Sequence, residues 1–109
     1  MGSLIYDGRT IDFDDRLLAH LQIVIVTKLR DGDSFVMSWM NSVSAGDGRS
    51  AIWLDRTIPL RFNFTGSRSP EINREWLRTL QASADASTGL IVTGEAGQLA
   101  RSGGSNSGK

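Results

Sequence analysis

Four groups of residues in this sequence could carry chemistry: an internal lysine, a lone histidine, a polar loop and a set of arginines. The lysine is Lys28, in the stretch KLRDGDSF. Its amine, with Asp31 and Gly32 close after it, could act as a nucleophile. It would need a pKa lowered by desolvation or by a neighbouring cation. Arg30 would help, whereas Asp31, Asp33 and the negative end of a preceding helix all favour the unreactive ammonium. The same residues also spell a helix stop. Lys28 and Arg30 suit the last turn, and Gly32 supplies the left-handed residue that closes it. The stop signal accounts for every residue of the stretch.

His20 is the only histidine. A general base needs an imidazole oriented in a cleft. The neighbours Arg16, Gln22 and Val24 include no carboxylate to orient it, although Asp14 or Asp15 could approach from the first helical turn. The expected role is that of a partly buried structural histidine. Zinc would have to be held by this histidine and carboxylates, a poor donor set. No metal and no cofactor is expected.

The polar loop is Phe64-Thr65-Gly66-Ser67-Arg68-Ser69-Pro70, which runs from a strand into a helix start. Backbone N–H groups at a helix N-terminus, with Ser67, Arg68 and Ser69 beside them, could hold a phosphate or carboxylate. Glu71 already occupies that positive potential, and ordinary capping by Ser69 with Pro70 at the first position needs nothing more. The arginines form the last group. Arg61 and Asn63 alternate with Phe62 and Phe64 and so face the other way, where Trp53 or Trp39 could join them. With Arg49 and Arg56 they suit stacking on nucleic-acid bases. They equally suit a protein contact, for which tryptophan and arginine are favoured anchors.

These groups need a scaffold, and the composition supplies one. The chain has 109 residues, 39% hydrophobic and 22% charged, enough for one small domain with a core of its own. It has no cysteine, which removes disulfides, thiolate metal sites and cysteine nucleophiles, and fits a reducing cytoplasm. MGSLIYDG has neither the basic region nor the apolar core of a secretory signal. The most apolar run, residues 17–29, falls short of the ~20 residues that cross a bilayer. A cytoplasmic protein without a membrane partner is expected. The formal net charge is zero, which gives no long-range pull on nucleic acid and favours a protein partner. The charge is unevenly spread: residues 48–78 hold six arginines against Asp55, Glu71 and Glu75.

The elements follow from periodicity and punctuation. Asp7-Gly8 between two apolar stretches is a hairpin signal. Asp14 or Asp15 then caps a helix whose buried face carries Leu18, Leu21, Ile25 and Leu29, widened by Leu17 and Val24. Its β-branched run IVIV leaves a strand over residues 22–27 as the second reading. Strands are expected at residues 35–40, 51–54 and 60–64, separated first by the polar loop 41–50. A second helix, capped by Ser69, buries Ile72, Trp76, Leu80 and Ala84 and ends at Gly89. Residues 90–92 form a last strand, and residues 94–109 read as a flexible Gly/Ser-rich tail. The order ββαβββαβ predicts one α+β domain over residues 1–93, a two-layer sandwich with both helices on one face of a mostly antiparallel sheet.

The segments FDDRLLAHLQIVIVTKL, GRSAIWLDRTIPLRF and GSRSPEINREWL resemble a family of small uncharacterised actinobacterial proteins commonly catalogued as "ATP-dependent DNA ligase". The resemblance covers residues 1–93 and implies an association with nucleotide or DNA chemistry. Ligases of that class use the lysine of a K-x-D-G motif. In this sequence Lys28 stands one residue further from Asp31 and Gly32, and the other lysine is the terminal Lys109. The expected function is therefore a non-catalytic binding module that associates with a protein, a second copy of itself included, through the back of its sheet. The alternative is an accessory nucleic-acid-binding domain, and ligase activity ranks last. The candidate binding residues are Arg49, Trp53, Arg56, Arg61, Asn63, Ser67, Arg68 and Ser69.

Overall fold

The computed structural model describes residues 1–43, 46 and 48–103. The chain folds in the expected order: β1 (Gly2–Tyr6), β2 (Arg9–Phe13), α1 (Asp15–Arg30), β3 (Phe35–Met40), β4 (Arg49–Leu54), β5 (Leu60–Asn63), α2 (Arg74–Asp85) and β6 (Leu90–Ile91). It is an α+β fold, but the single sheet expected from the sequence is divided. One three-stranded sheet has the order β2-β1-β5 and the other the order β4-β3-β6. All pairings are antiparallel except β3 with β6.

The hairpin β1–β2 turns at Asp7 and Gly8, both at positive φ, as the primed turn requires. α1 is a helix throughout, the IVIV run included, because tertiary burial outweighs the weak propensity of β-branched residues. Asp14 caps it, accepting from the N–H groups of Arg16 and Leu17. Leu17, Leu18, Leu21, Val24 and Ile25 are buried against one continuous core with Leu4, Phe13, Met37, Trp39, Leu54 and Leu80. Of Trp53 and Trp39, the two tryptophans that could have joined the back of the sheet, Trp39 points inward and meets the ring of Phe13 edge-on at 5.9 Å.

α2 starts later than expected. Its cap is Asn73, whose side-chain oxygen accepts from Glu75 and Trp76, so Ser69 and Pro70 lie in the non-helical approach. The buried stripe keeps Trp76, Leu80 and Ala84, and Ile72 falls outside the helix. The segment from Gly94 onward also differs from the unpacked tail expected. Ala100 is buried, its carbonyl accepts from Met40, and Ser102 donates back to the Met40 carbonyl. Backbone hydrogen bonds dock this stretch on β3 without needing large apolar side chains. Of the expected tail, residues 104–109 lie outside the described residues. Among the described residues no helix is long and apolar enough to cross a membrane.

Candidate functional site

Lys28 lies in the last turn of α1, and the helix ends as its sequence prescribes. The N–H of Asp33 reaches the Lys28 carbonyl at 3.1 Å and that of Gly32 the Leu29 carbonyl at 3.0 Å, with Gly32 at φ +84°. This paired closure satisfies carbonyls that the helix itself leaves open. The Lys28 ammonium is 2.8 Å from Asp85 and 3.3 Å from Asp33. The hydrogen bond to Asp85, then that to Asp33, raises its pKa, so the amine is held in its unreactive form. Lys109 lies outside the described residues.

His20 is fully buried, deeper than its sequence position suggests. Its Nδ1 is 2.7 Å from the Arg16 carbonyl, which can only accept, and its Nε2 is 2.9 Å from the backbone N–H of Asn73, which can only donate. The ring is therefore the neutral Nδ1–H tautomer with both nitrogens engaged by backbone. It stacks on Trp76 at 4.3 Å, and Trp76 Nε1 donates to the Thr93 carbonyl. Glu95 completes the cluster, accepting from Arg16 at 2.6 Å and Asn73 at 2.7 Å. The Asn73 bond, then that of Arg16, holds its carboxyl below the usual range. The cluster pins the start of α2 to α1 and leaves neither ring nitrogen of His20 free for proton transfer. No group of three or more metal-ligating side chains occurs among the described residues.

The eight candidate binding residues do not form one surface. Arg61 and Asn63 project from the outer side of the first sheet, with Arg61 Nε donating to Asn63 Oδ1 at 3.2 Å. Ser67, Arg68 and Ser69 line a hollow of about 330 Å³ against α1, before α2 begins at Arg74. Arg56 lines a second hollow, beside Arg30 at the other end of α1. Arg49 and Trp53 belong to the outer face of the second sheet.

That last face carries an exposed aromatic side chain. The register sets Trp53 opposite Val36, Ala51 opposite Ser38 and Arg49 opposite Met40, while Ile91 of β6 lies across from Ser38. Their alternates Phe35, Met37, Trp39 and Leu54 are buried, so these residues face away from the core. Trp53 is 56% exposed. Its strand is fixed from behind: the Tyr6 hydroxyl donates to the Trp53 carbonyl at 2.5 Å and accepts from the Asp55 N–H at 3.0 Å. An aromatic ring thus stands outward on a backbone that is pinned before any partner arrives, which lowers the entropy lost on binding.

Sequence reasoning missed a further hollow of about 660 Å³, lined by Arg9, Asp12, Trp39, Asn41, Ser42 and Ser50 among others. Its residues come from strands of both sheets, and no local pattern links them.

Residues 1–95 match the family model described as "Domain of unknown function (DUF7882)". The chain belongs to this family. No curated protein and no solved structure matches it. The family match takes in both helices, all six strands and the Trp53 face, and it ends before the docked stretch that leads to Gly103.

Proposed function

We propose that this domain is a non-catalytic binding module that associates with a protein, a second copy of itself included, through the outer face of the β4-β3-β6 sheet. The observation that carries this reading is Trp53, an aromatic side chain 56% exposed on a sheet face, with Val36 opposite it and Ala51 two residues along its strand. Large aromatics of this kind are the residues on which interfaces concentrate their binding energy. β4 is also an edge strand, with one side of its backbone open to further pairing.

Light scattering across a concentration series tests the self-association form directly. The expected result is a concentration-dependent dimer that Trp53→Ser converts to monomer. A wild-type monomer at every concentration, or a dimer indifferent to Trp53→Ser, would sink self-association. The nucleic-acid alternative draws less support, because Arg49, Arg56, Arg61 and Arg68 do not share a face. Ligase chemistry draws the least, with Lys28 held between two carboxylates.

A further inference from the structure

We propose that the groove between α1 and β5 is a second docking surface, which takes an extended acidic peptide as an added strand on the free edge of β5. It stands apart from the Trp53 face and does not depend on it.

The groove follows from two hollows that lie in succession along α1, with no lining residue in common. Ala19, Gln22 and Ile23 line the hollow at one end, and Val26, Leu29 and Arg30 line another of about 520 Å³. These positions follow one another at helical spacing, so they form a single face of α1. That face flanks the core, with Ala19 buried at its base and Leu29 half-buried against the core, while Val26 is 37% exposed. The opposite wall is β5 and its continuation. Leu60 lines the one hollow and Phe64 the other. β5 pairs with β1 alone, so its other edge offers N–H and C=O groups to a further strand. From Ala19 to Arg30 the helix face runs about 16 Å, room for roughly five residues of extended chain.

The charge on the groove selects the occupant. Among the described residues, the only charged ones that line the two hollows are Arg30, Arg56 and Arg68, in a chain whose formal net charge is zero. None of the three makes an ion pair among the described residues. Two stand at one end and one at the other, around an apolar floor. An extended segment with apolar alternate residues and acidic groups towards both ends matches that arrangement. A nucleic acid would meet the arginines, but the aliphatic floor of Val26, Leu29, Ile58 and Leu60 offers its bases little to stack on. The far end of the groove is fixed in place, since Asp15 holds the N–H groups of Thr65 and Gly66 at 3.1 and 2.9 Å.

The test is an amide-resolved NMR titration of the full chain with three probes. These are a synthetic eight-residue peptide of alternating valines with aspartates at both ends, the same peptide with lysines for aspartates, and a single-stranded oligonucleotide. The acidic peptide is expected to shift resonances of Ile23, Val26, Arg30, Phe62 and Ser67, less so as salt rises. The basic peptide is expected to leave them unmoved. The double substitution Arg56→Glu with Arg68→Glu, both at exposed positions, should weaken the acidic peptide at least tenfold and keep the dispersed spectrum of the folded chain. Equal binding of the two peptides, shifts placed elsewhere, no shift with the acidic peptide, or tighter binding of the oligonucleotide at the same residues would overturn the proposal.

Discussion

Asp15 stands at the head of α1, yet its carboxylate serves the loop after β5, accepting from Gly66 and Thr65. The Gly66 bond, then the Thr65 bond, holds its pKa below the ordinary carboxylate range. A carboxyl with a depressed folded pKa stabilises the fold above its unfolded value, about 4, and that contribution is lost as pH falls through the lower folded value. Asp15→Asn should therefore lower the urea midpoint at about pH 7, by no more than about 1 kcal/mol because the bonds face solvent. The gap between variant and parent should close as the pH falls below about 3. A gap that persists unchanged in acid would assign the residue's contribution to packing instead. Lys28 illustrates what a sequence can and cannot reveal at this scale. Its helix-stop role is local and readable from KLRDG, whereas its acid partner Asp85 comes from the far end of α2. His20 is similar: no spacing rule pairs its Nε2 with the N–H of Asn73.

At the scale of elements, the strongest sequence signals located α1 and the alternation in β5, because periodicity is intrinsic to each segment. The start of α2 was less legible. Ser69-Pro70-Glu71 is a good helix opening in isolation, but Asn73 provides the cap and is itself held by His20 and Glu95 from other parts of the chain. Ser69, Pro70 and Ile72, before Asn73, thereby become a wall of the groove on α1 rather than a first helical turn. The candidate site was half legible for the same reason: alternation placed Trp53 and Arg61 on outer faces, but only the sheet partition reveals that those faces belong to different sheets. Two glycines make the element ends testable. Gly32 closes α1 at φ +84° with only Arg56 Nη1 near a built Cβ, at 3.6 Å. Gly89 has φ +82°, and a Cβ there would collide with the carbonyl of Val36 on β3. Gly32→Ala should cost about 1 kcal/mol, from the left-handed backbone alone. Gly89→Ala must also push two strands apart and should cost more than about 3 kcal/mol. Thermal unfolding should rank the two variants in that order, with Gly89→Ala shifted by more than about 12 °C. Equal shifts would mean that β3 yields without cost.

For the whole molecule, the zero net charge conceals a division of labour between surfaces. One outer sheet face presents Trp53 with Arg49 at its end, and the other arginines of residues 48–78 are dispersed elsewhere. The two sheets are also interleaved along the chain. β1 pairs with β5 and β3 with β6, so the first sheet closes only after β4 of the second has been laid down, and the second waits for the C-terminal third. Either half of the chain alone would lack a strand that its sheet requires. The consequence is kinetic. Long loops must close before these pairings are rewarded, so the two helices should not make this a fast folder. Refolding followed by tryptophan fluorescence should occur on a timescale of roughly milliseconds to seconds, in one phase shared by both sheets. Microsecond relaxation, or separate phases for the two sheets, would contradict it. A nascent chain of this design stays unfinished until β6 is free to reach β3, and during that interval the edges of β3 and β5 are open to other chains.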